Sequence, residues 1–306
     1  MAEHVEYFAT ERQLRIYKAR KIITQVLLYA FLTLVGLFIL IPFWYMLITS
    51  FKGTEAFENE ELSGRLVLYL NSTNFSFEQF KKVFTGDFNF GTFYFNTVIV
   101  AVASTAFTVV TSVLAAFAFA RVNFKGKDAI FTILLGTMMV PGEMMMMTNY
   151  QTTVQLGWAN TFAALILVHG VSVFYIFYLR QTFQQIPNEL FLAAKVDGYG
   201  HFQYLWRCMI PIAMPTIVTI MILSLMGAWN AYIWPTLIAN GKSSVFPGHD
   251  MRLVSNGLMS QFQGEFSNDV PARVTGSLFA TVPLFVFFLI FRKYIMRGIS
   301  RSGIKG

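Results

Sequence analysis

An all-α integral membrane fold is what the sequence predicts, on three observations. Of 306 residues 55% are hydrophobic, only 13% are charged, and apolar runs of span length recur along the chain. A soluble core of this size cannot bury that much apolar surface, so lipid must cover part of it. Six stretches reach the roughly 20 residues a helix needs to cross a bilayer: 22–51, 92–120, 129–150, 161–181, 215–239 and 274–292. Ahead of them lies a charged segment, 1–21, and the remainder, 22–306, reads as one transmembrane domain.

The first two runs carry no charge. The first is too long for a signal-peptide core and has no small-residue cleavage site behind it, so it is expected to stay in the protein. The third holds a single acid, Glu143, next to Pro141 and Gly142. That pair predicts a bend able to act as a gate hinge. Basic residues orient the spans. Arg12, Arg15, Lys18, Arg20 and Lys21 precede the first run, Arg121, Lys125 and Lys127 follow the second, Arg180, Lys195 and Arg207 separate the fourth from the fifth, and Arg292, Lys293, Arg297, Arg301 and Lys305 follow the sixth. With both termini in the cytoplasm, 16 of the 23 basic residues fall on that side, as the positive-inside rule requires. The formal charge of +7 then needs no nucleic acid to explain it. Residues 52–87, with Glu55, Glu58, Glu60 and Glu61, and 241–273 are expected outside, the first as a small cap. A lone Cys208 excludes an internal disulfide and reads as apolar filler.

One polar, glycine-broken stretch interrupts the apolar pattern on the cytoplasmic side, IPNELFLAAKVDGYGHFQYLWRCMIPIAMP, within the loop 183–214 between spans four and five. Pro187 and Asn188 read as a helix start with Asn as cap, and Gly198 as the residue past its end, giving a short helix over 189–197. Phe202, Leu205, Trp206, Met209 and Ile210 form one stripe of a second helix, ended by Pro211. The Ala193 and Ala194 pair gives the first helix a small face that another protein can approach closely. Two readings fit: an ordinary interfacial hairpin, or an element transmitting force from a cytoplasmic partner.

This stretch resembles the EAA loop of binding-protein-dependent ABC importer permeases of the maltose-type carbohydrate family. Ile186, Pro187, Glu189, Leu190, Ala193, Ala194, Val196, Asp197, Gly198, Pro211 and Pro215 fall in step with its pattern. Leu192 stands where the family has its second Glu, which leaves the charged contact made there without its acid. PFWYMLITSFK, FAFARVNFKGK, MMVPGEM, LGWANTFAALIL, AWNAYIWP and RGISRSGIKG are similar to further family elements in the same order along the chain. The resemblance implies the smaller, six-span permease of such an importer in a bacterial plasma or inner membrane, carrying a sugar by alternating access. It implies three partners: a second homologous permease, a cytosolic ATPase dimer docked on the EAA loops, and an extracellular or periplasmic sugar-binding protein. Glu189, Leu190, Ala193, Ala194, Asp197 and Gly198 would then form the coupling helix, and the tail 297–306 would run towards the ATPase.

No catalytic or metal-ligating constellation accompanies these motifs, and no cofactor is expected on this chain; ATP and Mg belong to the partner ATPase. Gly241-Lys242-Ser243 is not a P-loop, because Thr236 stands where its first Gly is required. Candidate pathway residues are Glu143, an acid at span depth, Asn149 and Tyr150 beside it, and Trp229, Asn230, Tyr232 and Trp234, an aromatic face with an amide suited to sugar. Interfacial belting explains the last group's aromatics equally well. The methionines Met144–Met147 read as contacts between helices or with lipid, and His169 as a hydrogen bond between helices rather than a ligand contact. From another class, a solitary secondary transporter or channel would need inverted repeats or paired charges within spans.

Overall fold

The computed structural model describes residues 11–85, 89–243, 245–264 and 269–300, with side chains placed from 14 to 293 among them. All regular elements among the described residues are helices, and the extended pairings there are isolated bridges, Lys52 with Phe75 and Lys242 with Asp250. Two compact units divide the chain, Met1–Phe80 and Lys81–Gly306.

The first unit is dominated by α1 (Glu11–Ser50), 40 residues long. At 1.5 Å per residue that is about 60 Å, so roughly half of it fills a ~30 Å hydrocarbon core. Leu27, Leu28 and Tyr29, consecutive and so about 100° apart around the helix, are all exposed, and a helix with no polar face needs an apolar solvent. The helix also takes in part of the predicted cytoplasmic segment, whose residues 1–10 lie outside the described ones. Beyond Ser50 the expected cap forms around α2 (Thr54–Leu62) and the start of α3 (Glu78–Thr85). Phe51, Phe75, Phe77 and Phe80 interlock their rings there. Lys52 is only 1% exposed. Its ammonium pairs with Glu60 and donates to the Val67 carbonyl at 2.7 Å, so the buried charge is neutralised and hydrogen-bonded.

In the second unit α4 (Phe90–Arg121) is the hub, packed by α7 (Phe162–Ile166), α8 (Val173–Gln184), α11 (Ile210–Trp229) and α13 (Val254–Gln263). α5 (Lys127–Thr137), α6 (Gly142–Gln155), α9 (Asn188–Val196), α10 (His201–Tyr204), α12 (Ile233–Ile238) and α14 (Val270–Ser300) complete it. Four described helices are long and apolar enough to cross a membrane: α1, α4, the run His201–Trp229, and α14; α5 and α6 together make a fifth if taken as one span bent by 96°.

Three predicted spans differ from continuous helices. The stretch 129–150 breaks where Pro141 adopts an extended conformation, φ −59° and ψ 133°. Proline has no N–H to continue a helix and pushes the residue before it out of helical geometry. The stretch 161–181 is two short helices, with Ser172 accepting from the Tyr175 N–H to start α8. At Gly170 a Cβ would lie 2.1 Å from the Phe107 ring, so α4 presses directly on this backbone, and Thr111 donates to the Gly170 carbonyl at 3.2 Å. The third, 215–239, starts earlier and stops sooner: one helical run covers His201–Trp229, and α12 follows separately. Pro211 does not end a helix as expected. A π-turn, Leu205–Met209, precedes it, with the Ile210 N–H bonded to the Leu205 carbonyl, and this wider turn takes up the proline's clash and missing donor.

Candidate functional site

Two arrangements concern the residues singled out by sequence: the helix α9 at one end of α4, and a cavity alongside the other half of α4. α9 starts after Pro187, whose extended backbone turns the chain, and ends on Gly198 at φ +80°. The Tyr199 N–H reaches the Ala194 carbonyl at 2.8 Å and the Gly198 N–H that of Lys195 at 3.1 Å, a paired C-terminal closure that needs left-handed backbone and so favours glycine. Asn188 does not cap the helix; it is its first residue, and its side-chain oxygen faces Arg121 at 3.4 Å.

Arg121, the last residue of α4, is what ties this helix down. Its guanidinium donates to the Phe183 carbonyl at 3.0 Å and to the Ile186 carbonyl, just ahead of α9. Phe183 lies in the last turn of α8 and Ile186 just past its end, where the helix dipole favours a cation. Arg180 answers in the opposite direction, donating to the Phe119 carbonyl at 3.2 Å and lying 4.1 Å over the Phe131 ring. Sequence reading used both arginines only to orient the spans; a basic residue closing a 32-residue apolar helix was the available signal.

The alanine pair does not form one face. Ala194 is buried among Phe183, Tyr204 and Leu205, whereas Ala193 is exposed, since consecutive helical residues point about 100° apart. The outward surface of α9 instead presents Glu189, Leu190, Leu192, Ala193 and Val196, the last 88% exposed. Asp197 and Gly198 are exposed beside it. The predicted second stripe is also split: Leu205 and Met209 are buried, while Phe202 and Trp206, on the adjoining side of the helix, are exposed.

Of the pathway candidates, Glu143 is exposed in the first turn of α6, Asn149 is half-buried, and Tyr150 packs in the core with Trp234. Pro141 and Gly142 sit at the break between α5 and α6. The four residues near the end of α11 are not one face. Trp229 donates to the Ala280 carbonyl at 3.1 Å and meets Tyr94 edge-on; Trp234 donates to the Ala164 carbonyl at 3.0 Å and is 7% exposed. Between them the helix ends, Asn230 turns its amide back to the Met226 carbonyl, and Tyr232 is exposed. The break at 230–232 sends the two indoles to different neighbours.

Trp234 alone of these lines a cavity of about 350 Å³ bounded by Ser104 and Thr108 of α4, His169 and Tyr175 of the α7–α8 region, and Ser224 of α11. The end of this half away from α9 is braced by amides. Asn96, fully buried, donates to the Asp250 and Arg252 carbonyls at 2.7 and 2.9 Å and lies 2.8 Å from the His249 ring. Asn256 donates to the Pro235 and Ala239 carbonyls and accepts from the Leu253 N–H. No group of His, Cys, Asp and Glu suited to a metal occurs among the described residues.

Comparison with known proteins adds the family. A model of the binding-protein-dependent transport system inner membrane component matches residues 108–301. The arabinooligosaccharides transport system permease protein AraQ of Bacillus subtilis (strain 168) is 29% identical over 90% of this chain and 94% of its own. The lactose transport system permease protein LacG of Rhizobium radiobacter is 28% identical, over 90% and 95%. The trehalose/maltose transport system permease protein MalG of Thermococcus litoralis is 28% identical, over 94% and 99%. A crystal structure of a bacterial ABC transporter involved in the import of the acidic polysaccharide alginate contains a chain with the same fold, at a TM-score of 0.73 and 22% identity, covering 94% of this chain and 99% of that one.

Proposed function

The chain belongs to the family of binding-protein-dependent transport system inner membrane components, and from that membership we propose that it is the permease subunit of an ATP-driven importer moving an oligosaccharide across a bacterial inner membrane. Sugar permeases aligned nearly end to end support the substrate class. Counting each broken stretch once gives six spans, α1, α4, α5 with α6, α7 with α8, the run through α11, and α14; both termini then share a side, which the basic residues assign to the cytoplasm. A second permease of the same family would pair with it, an ATPase dimer holding ATP and Mg would dock on the cytoplasmic side, and a binding protein would deliver sugar outside.

The observation that carries the mechanism is α9, an exposed helix with an outward apolar surface, tied at its root to α4 by Arg121. Such a surface fits a cleft on an ATPase, with Glu189, Leu190, Ala193, Asp197 and Gly198 at the contact and Ala194 holding the helix to the permease. Closure of the ATPases would move α9, and the rigid tie would convert that into tilting of α4 and the helices packed on it.

Gly198→Pro tests this. Proline cannot adopt φ +80°, so the closure of α9 is lost. A variant that inserts normally but loses both ATPase pull-down and sugar uptake supports the reading. Uptake that survives without bound ATPase refutes it and returns the solitary transporter.

A further inference from the structure

The cavity beside α4 has a wall unlike ordinary helix packing. Ser104 of α4 and Ser224 of α11 line it together with Tyr175 and His169, and the Trp234 ring lies against His169 at 5.0 Å, edge to face. Neither serine hydroxyl, nor the Tyr175 phenol, nor the His169 ring hydrogen-bonds within the described residues. His169 is exposed and the other three are half-buried, so these groups are open to whatever fills the cavity, and an occupant bearing hydroxyls can pair with them. Room for one is made on α11 by Gly227, where an added Cβ would meet nothing within 4 Å.

We propose that this cavity is a sugar subsite carried by this subunit itself, sized for a single pyranose ring and selective for neutral sugars. At about 350 Å³ it lies at the small end of ligand cavities, which run from roughly 300 to 1,000 Å³. Trp234 and His169, set edge to face, supply aromatic surface for the C–H face of a ring, and the serines and Tyr175 supply donors and acceptors for its hydroxyls. No Asp, Glu, Lys or Arg lines it among the described residues, so a uronate carboxylate entering would be desolvated without a counter-ion. The inference rests on the importer reading and adds where, and by which chemistry, the permease recognises its cargo.

The test uses the complete importer, with its ATPase and binding protein, in proteoliposomes offered radiolabelled maltotriose, arabinotriose, raffinose and an alginate trimer. Sugar taken up is measured per ATP hydrolysed. Wild type is expected to take one or more of the neutral sugars. Gly227→Leu, which fills the cavity, should lower sugar per ATP at least ten-fold, with Gly227→Ala within about two-fold of wild type. Ser104→Ala with Ser224→Ala carries the same question without added bulk, and so stands even where Gly227→Leu inserts poorly. Removing two hydroxyl partners should lower sugar per ATP about five- to ten-fold, with ATPase stimulation by the loaded binding protein retained. Wild-type ratios in the double variant overturn the subsite, whether or not Gly227→Leu is blocked, because a steric block alone is not recognition. Preference for the alginate trimer overturns it too. Hydrolysis stimulated with no sugar moved by wild type would instead bring down the sugar-importer reading itself.

Discussion

Replacing Arg121 by alanine is the sharpest test of how motion would pass from α9 into the spans. Its guanidinium holds two carbonyls, Phe183 and Ile186, and a longer contact to Asn188 at 3.4 Å. A hydrogen bond to a charged donor contributes about 1.5–3 kcal/mol. The Asn188 contact is too long to count fully, the side chain is half-buried, and water can re-solvate the freed carbonyls. The net loss is therefore roughly 2–4 kcal/mol. At 1.4 kcal/mol per factor of ten, that shifts the equilibrium between docked and undocked α9 by about 30- to 1,000-fold. Backbone amides of α9 should exchange with deuterium faster by a comparable factor, while those in the middle of α4 keep their protection. In reconstituted importer, ATP hydrolysis should continue with less sugar moved per ATP. Arg121→Lys, a point charge without the planar fork, should recover one carbonyl contact and an intermediate ratio. Unchanged exchange in α9 together with an unchanged transport ratio would refute the tie.

Three further outcomes follow from packing and polar satisfaction. Gly257→Val puts side-chain carbons where even a Cβ would lie 2.5 Å from the Phe93 ring; α13 must shift, and a loss of about 1–3 kcal/mol should appear as a lower melting temperature in detergent. Asn256→Leu removes the donor to the Pro235 and Ala239 carbonyls and the acceptor for Leu253. Leaving those buried groups unpaired should cost about 2–4 kcal/mol, read in the same melt, and Asn256→Ser should recover little of it. Lys52→Met strands the Glu60 carboxylate next to an apolar side chain; adding Glu60→Gln should return much of the stability, and a double variant no better than the single would show that the pair is not coupled.

Composition and hydropathy determine the solvent, and therefore the fold class, because an excess of apolar side chains leaves lipid as the only partner for them. Local chemistry determines the ends of α9 as well. Pro187 has no N–H to extend a helix backwards, and Gly198 permits the left-handed turn that closes it. The bend at Pro141 was equally legible, since it follows from the proline ring alone.

What the sequence left open depends on neighbours distant in the chain. Hydropathy treats 161–181 as one run, yet the helix breaks around Gly170, where Phe107 of α4 lies too close for any side chain. The Ala193 and Ala194 pair looks like one feature until the core takes Ala194 and leaves its neighbour outside. Trp229 and Trp234 belong to different contacts because the helix ends between them, and Ser104 and Ser224, 120 residues apart in sequence, share a cavity only because α4 and α11 pack together. Periodicity reports which residues share a face of one helix; which face meets which is set by packing across the bundle, and there the tertiary structure alone decides.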